Sequence, residues 1–166
     1  FGFHASYAYE ETLLGTAGAI KNAGRLITQD RFYVLNADTF YQIDYTRLSK
    51  IMDVRDLDMA LVLREVEDVS RYGQAVLDRE GILTAFNEKT EEARTGTING
   101  GVYLMKRELL DRIPEGKVSL ENDMIPRWLG EEKRLGGFVN DGYFIDIGIP
   151  EAYYQFQEDV RRKVIW

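Results

Sequence analysis

The sequence predicts an α/β protein with a mixed, mostly parallel sheet flanked by helices. Three observations carry that expectation. Residues 32–35 and 59–63 are short, continuously apolar runs, the character of strands buried on both faces. Helical periodicity alternates with them: residues 17–26 precede the first run, and residues 46–54, with Leu48, Ile51 and Met52 on one face, precede the second. Strands that alternate with helices pair in parallel through crossovers, while the strand-rich stretch from Met59 to Met105 requires some antiparallel pairing.

The remaining elements follow in order. Residues 3–9 are aromatic and alternating, a short strand. Gly15 and Thr16 stand at the entrance of the 17–26 helix. Residues 75–77 and 82–86 flank Asp78-Arg79-Glu80-Gly81, a hairpin turn. Residues 98–105 form another strand, with a short helix after it to about Leu110. Residues 121–129 are helical in pattern and contain Pro126. Strands at 134–139 and 142–147 surround an Asn-Asp-Gly turn. An amphipathic helix at 151–164 closes the chain, with Tyr154, Phe156 and Val160 among its apolar positions. Its acidic and aromatic surface could pack on its own domain or on a second subunit, so a homo-oligomer is possible.

A chain of 166 residues is expected to form one domain. Hydrophobic residues at 45% and charged residues at 30% are ordinary for a globular protein and argue against disorder. No apolar run is long enough to span a bilayer, and no cationic start leads into an apolar stretch, so neither a membrane span nor a secretory signal is expected. With no cysteine and one histidine, His4, thiolate chemistry, a His-based zinc site and a Ser-His-Asp triad are all disfavoured. The net charge is −7, and the 21 basic residues are scattered among 28 acidic ones without a basic stripe. Binding to a nucleic acid is therefore not expected. An anionic small ligand would need a local device such as a metal ion or a helix N-terminus. The balance suits a cytoplasmic protein.

Chemistry should gather at the carboxyl ends of the strands. The apolar run before Asn36-Ala37-Asp38 delivers the Asp38 carboxylate to that edge, although an aspartate there also serves as a turn residue. Asp146 lies between large apolar residues in Tyr143-Phe144-Ile145-Asp146-Ile147-Gly148, where a carboxylate is expensive unless paired or bound to a cation. Two such carboxylates could share one Mg²⁺, and a capping role for Asp146 fits equally. Leu14-Gly15-Thr16-Ala17-Gly18 is a small-residue loop opening a helix, whose first N–H groups could face an anionic ligand. An ordinary helix start fits it too. In Asn99-Gly100-Gly101-Val102-Tyr103 two glycines interrupt a strand, marking either a bulge or a ligand crossing the backbone, with Asn99 able to bond hydroxyls. Glu88-Lys89 could meet hydroxyls and a phosphate, or form an exposed ion pair. Tyr72-Gly73 could simply be a turn.

The order of these six motifs resembles the sugar-1-phosphate nucleotidyltransferases, also called nucleotide-sugar pyrophosphorylases. The likeness runs from about residue 7 to about residue 157, and the branches that transfer guanylyl groups to heptose and mannose 1-phosphates are nearest in look. The resemblance implies the Rossmann-like nucleotide-diphospho-sugar transferase fold. It implies nucleotidyl transfer from an NTP, GTP favoured, to a heptose- or mannose-type sugar 1-phosphate, with an NDP-sugar and pyrophosphate as products. That places the chain in nucleotide-sugar biosynthesis, for lipopolysaccharide, capsule or S-layer glycans. By the same resemblance Leu14, Gly15, Thr16, Gly18, Asn36 and Asp38 would bind the nucleotide, and Asp38 and Asp146 would hold Mg²⁺. Gly73, Glu88 and Asn99 would meet the sugar, and Lys89 would lie near its phosphate and act in catalysis with the two aspartates.

The family begins with a strand leading into Gly-x-Gly-Thr-Arg-Leu, with Pro-Lys-Pro further on. This sequence contains neither motif. The expectation is a single nucleotidyltransferase domain over residues 1–166 that lacks its N-terminal part, roughly 70 residues. The alternative is a non-catalytic pyrophosphorylase-like domain that binds nucleotide sugars in a regulatory role.

Overall fold

The computed structural model describes residues 2–69, 73–87 and 95–165. Among the described residues eight strands and four α-helices succeed one another: α1 (Gly15–Ala23), β1 (Arg31–Leu35), β2 (Thr39–Tyr41), α2 (Tyr45–Val54), β3 (Met59–Val66), β4 (Gln74–Leu77), β5 (Leu83–Asn87), β6 (Gly96–Lys106), α3 (Ile125–Gly130), β7 (Leu135–Val139), β8 (Phe144–Asp146) and α4 (Pro150–Arg161). A 3₁₀ turn at Gly24–Leu26 extends α1, another at Arg107–Arg112 follows β6, and a π-helical turn at Leu120–Met124 runs into α3.

The main sheet has the order β5-β4-β6-β3-β7, with β1 also paired to β6. Strand β3 supplies its centre. Met59, Leu61 and Leu63 join one apolar cluster and Ala60 and Val62 join the other, as the two-residue period of a strand requires. The first cluster packs the sheet against Ala17 of α1 and against Leu120, Met124, Ile125 and Trp128. The second packs the opposite face against Leu48 and Met52 of α2 and Tyr41 of β2. Asp44 caps α2 by accepting from the N–H of Arg47 at 2.9 Å. The β4–β5 hairpin turns as its sequence dictates. Asp78 Oδ1 accepts from the N–H groups of Glu80 and Ile82, and Gly81 takes φ +78°. Its turn also reaches β7, where the N–H of Gly137 donates to the carbonyl of Gly81 at 2.9 Å.

The mixed sheet flanked by helices is as expected, with four differences in detail. Among the described residues β3 and β7 form the parallel pair, while β1–β6, β3–β6, β4–β5 and β4–β6 are antiparallel, so the balance is not mostly parallel. The reason is β6, an eleven-residue strand that faces three partners running against it. Strand β1 is half-exposed rather than buried on both faces, since Tyr33 and Leu35 stay in contact with solvent. Among the described residues no strand forms over 3–9, and Tyr7 and Tyr9 are exposed. Finally, β7 and β8 part company after the Asn-Asp-Gly turn: β7 joins the main sheet, and β8 pairs with β2 in a separate two-stranded ribbon.

That ribbon lies under α4. Phe156 packs on Phe40 with ring centroids 4.9 Å apart, and the hydroxyl of Tyr143 donates to Asp159 at 2.6 Å. Burial and the neighbouring Asp159 carboxylate push the Tyr143 phenol up to about 12. No residue of α4 is buried, and Tyr154 is exposed. No helix among the described residues is long and apolar enough to cross a membrane.

Candidate functional site

Strand β6 organises the site. On one edge it pairs with β3 along its length; on the other it pairs with β1 over residues 102–106 and then with β4 at Thr97 and Ile98. Between those two neighbours the register slips, with Tyr103 opposite Leu61 but Asn99 opposite Leu63. The extra residues form a bulge at Gly100 and Gly101, the latter at φ +72°. No side chain fits here. A Cβ on Gly100 would meet the ring of Tyr41 at 2.5 Å, and one on Gly101 would meet Asn36 at 2.9 Å. The glycine pair is thus a structural bulge that admits Tyr41 and Asn36. It opens the sheet where β1 ends and β4 begins.

Several predicted residues gather at that opening. The N–H of Asn36 donates to the carbonyl of Gly101 at 2.8 Å. Asn99 Oδ1 accepts from the N–H of Gly101 at 3.1 Å, and its amide donates to the hydroxyl of Tyr103. Gly73 precedes the β4 residue that pairs with Ile98 and lies against the ring of Phe86. Glu88, Lys89 and Tyr72 lie outside the described residues.

The two aspartates converge through the ribbon. Asp38 sits in the turn between β1 and β2, and Thr39 stands opposite Asp146. The N–H of Ile147 donates to the carbonyl of Asp38 at 2.8 Å. Asp38 Oδ2 and Asp146 Oδ1 lie 4.0 and 3.0 Å from the point a Cβ on Gly148 would occupy. Both residues are exposed, so the burial cost anticipated for Asp146 is absent. Asp146 Oδ1 also accepts from the N–H of Gly148 at 2.9 Å, so the turn reading and the convergence hold together. Strand β2, three residues long and beginning right after a turn aspartate, carries too little periodicity to be read from sequence. Tyr41 anchors it from below: its hydroxyl meets the carbonyls of Leu63 and Asn140, and burial pushes its phenol up.

The Gly15–Gly18 loop is used differently from expectation. Gly15 takes φ +70°, and a Cβ there would stand 2.6 Å from the carbonyl of Val118. The N–H groups of Ala17 and Gly18 donate to that carbonyl at 3.0 and 3.2 Å, so they do not face a ligand. Thr16 lies inside the first turn of α1 rather than capping it. Its hydroxyl donates to Glu121 Oε2 at 2.9 Å and accepts from the N–H of Leu120 at 2.7 Å. Glu121 Oε1 in turn accepts from the Tyr103 hydroxyl at 2.7 Å. Tyr103 and Glu121 were not evident as site residues. A tyrosine inside a buried strand does signal a partner for its hydroxyl, but only the fold names Glu121.

Clefts among the described residues lie beside the site and apart from it. One of about 380 Å³ runs beside α1, touching Leu14, Gly18, Lys21 and Arg25. A larger one, about 640 Å³, lies at the amino ends of β1 and β3, lined by Asp30, Arg31, Asp53 and Lys106, away from the aspartate pair. Among the described residues no group of three or more His, Cys, Asp or Glu side chains could hold a metal by itself.

Known proteins share this chain's sequence pattern and its fold. A family model described as nucleotidyl transferase matches residues 1–163. The D-glycero-alpha-D-manno-heptose 1-phosphate guanylyltransferase of Aneurinibacillus thermoaerophilus is 33% identical over 164 residues, 98% of this chain and 70% of that protein. The mannose-1-phosphate guanylyltransferase of Mycobacterium tuberculosis is 33% identical, covering 98% of this chain and 46% of its own length. The crystal structure of HddC from Yersinia pseudotuberculosis complexed with GMP-PN superposes with a TM-score of 0.76 at 38% identity, covering 91% of this chain and 64% of that one. The chain therefore spans less than two thirds of HddC and less than half of the mycobacterial enzyme. The match along nearly the whole sequence, with the same mixed α/β sheet, establishes that the chain belongs to the nucleotidyl transferase family.

Proposed function

We propose that this chain forms part of an enzyme that transfers a guanylyl group from GTP to a heptose- or mannose-type sugar 1-phosphate. The observation that carries the reading is the approach of Asp38 and Asp146 to one point beside Gly148. The names of the similar proteins supply the base and the sugar class.

The pair suits a small hard cation. Both side chains offer carboxylate oxygens at an exposed edge, and Mg²⁺ is commonly held by one or two carboxylates together with substrate phosphates. Such an ion, when bound, neutralises charge that builds on the phosphates. The chain's own residues position the reactants. The mouth of α1, with Leu14, Gly15, Thr16 and Gly18, is assigned to the base and ribose beside Asn36. Gly73 and Asn99 are assigned to the sugar hydroxyls, and Glu88 and Lys89 would complete the sugar and its phosphate. The sugar-phosphate oxygen forms a bond to the α-phosphorus as the bond from that phosphorus to the bridging oxygen breaks, and pyrophosphate leaves with the electron pair. Nothing in this inventory calls for a covalent intermediate; alignment and charge stabilisation are what such transfers need. A cytoplasmic setting accords with its nucleotide substrate.

The test is pyrophosphate release by the full-length protein across a panel of nucleoside triphosphates and sugar 1-phosphates, with and without Mg²⁺. Release with GTP and a heptose or mannose 1-phosphate, dependent on the metal, is expected. Absence of release with every pair would overturn the proposal in favour of a non-catalytic domain that binds nucleotide sugars.

A further inference from the structure

Two motifs that the sequence keeps apart, the α1 mouth and Asn99, are joined by one hydrogen-bonded chain. The Asn99 amide donates to the Tyr103 hydroxyl, and that hydroxyl donates to Glu121 Oε1 at 2.7 Å. Glu121 Oε2 accepts from the Thr16 hydroxyl at 2.9 Å and from that of Ser119 at 3.4 Å. Leu120 closes the chain by donating its N–H to Thr16 Oγ1 at 2.7 Å. Backbone bonds run alongside: Val118 accepts from Ala17 and Gly18, and donates to Leu14 at 2.8 Å.

We propose that Tyr103 is a positioning residue that couples the two halves of the site, so that ordering the Gly15–Gly18 loop also orders Asn99. The functional meaning of those halves rests on the guanylyltransferase reading: the loop is the nucleotide side and Asn99 the sugar side.

Three features single out Tyr103. It is fully buried, whereas Thr16 is exposed and Asn99 and Glu121 are half-buried. Its hydroxyl therefore cannot exchange a protein partner for water, and a rotation of Glu121 must be answered by Asn99 or leave a buried polar group unpaired. Burial first, and then the Glu121 charge, pushes its phenol well up, so it remains a neutral donor at any working pH. Asn99 is held at both ends, its Oδ1 by the N–H of Gly101 and its amide by Tyr103, so it has one orientation to transmit. The far end of the chain lies at the Gly100–Gly101 bulge, to which Asn36 is bonded just ahead of Asp38.

The first experiment needs no ligand. In the full-length protein labelled with ¹⁵N, the side-chain amide resonance of Asn99 is followed by NMR. Thr16→Val should shift that resonance, and should no longer do so in a Tyr103→Phe background. Glu121→Met, of similar length but without the two carboxylate oxygens, should give the same loss, and so guards against a folding defect in Tyr103→Phe. The second experiment is calorimetry with a non-hydrolysable GTP analogue and a heptose or mannose 1-phosphate. In the unsubstituted protein the analogue should tighten the sugar phosphate by about fivefold or more. In Tyr103→Phe that factor should fall below about twofold, with each ligand alone still binding within about threefold of its normal affinity. An Asn99 resonance indifferent to Thr16→Val, or a coupling factor unchanged in Tyr103→Phe, overturns the proposal. Binding of neither ligand would instead refute the guanylyltransferase reading, while the ligand-free arm still decides the relay.

Discussion

Asp38 and Asp146 are brought side by side by the hydrogen bond from the N–H of Ile147 to the carbonyl of Asp38, at 2.8 Å, and by the pairing of Thr39 with Asp146. The short β2–β8 ribbon, rather than the main sheet, sets the spacing of the two carboxylates.

Replacing either carboxylate should separate activity from stability. Both side chains are exposed, so Asp38→Asn and Asp146→Asn should each change folding stability by less than about 1 kcal/mol. Pyrophosphate release by the full-length enzyme should fall by about a hundredfold or more, the scale on which lost electrostatic stabilisation is felt. Turnover near normal in either variant would remove that residue from the metal-binding role.

Gly148→Ala tests the same pair without touching a carboxylate. The added methyl would stand 3.0 Å from Asp146 Oδ1, so that carboxylate must shift by a few tenths of an ångström. The Mg²⁺ concentration giving half-maximal activity should rise by about tenfold, as for other losses of support around a metal ligand. A metal titration with an unaltered midpoint would contradict the assignment.

Gly15→Ala should cost stability as well as nucleotide binding. The residue takes φ +70°, and its Cβ would meet a backbone carbonyl, which cannot swing away as a side chain does. A loss of about 1–3 kcal/mol is expected in urea denaturation, together with weaker binding of a GTP analogue.

Asp58 provides a pH signature at the amino ends of β1 and β3. Burial alone would raise its carboxyl. The N–H of Arg134 at 3.0 Å and the Lys106 amine at 3.1 Å outweigh this and hold it below its ordinary value. A carboxylate depressed in the folded state stabilises at pH values above its unfolded pKa, and that contribution is lost as pH falls through the folded pKa. Asp58→Asn should therefore destabilise by about 1–3 kcal/mol at pH 7. Thermal denaturation should show the gap between variant and parent closing below about pH 4, near the ordinary carboxylate range. A gap independent of pH would sink the argument.

Much of this architecture is legible in the chain itself because the forces concerned are local. The unbroken apolar run of β3 can only be buried on both sides. The spacing of Leu48 and Met52 presents one face of α2, and Asp78 with Gly81 encodes its own hairpin turn. The candidate residues at strand ends follow from the same local reasoning.

What the chain could not reveal depends on partners distant in sequence. The aromatic alternation at residues 3–9 has strand character but forms no strand among the described residues, and β1 looks like an interior strand but sits half-exposed. The glycines at 100 and 101 announce a bulge, yet only packing shows that Tyr41 and Asn36 fill it. Composition and periodicity determined the layers, the centre of the sheet and the residue types available for chemistry, since each stretch carries its own hydrophobic pattern and turn preference. Tertiary structure alone decided that β8 leaves the main sheet for β2, that Glu121 meets both Thr16 and Tyr103, and that two aspartates share an edge. Strand pairing and side-chain hydrogen bonds are contacts of the folded chain, and their partners are set by which apolar faces bury together.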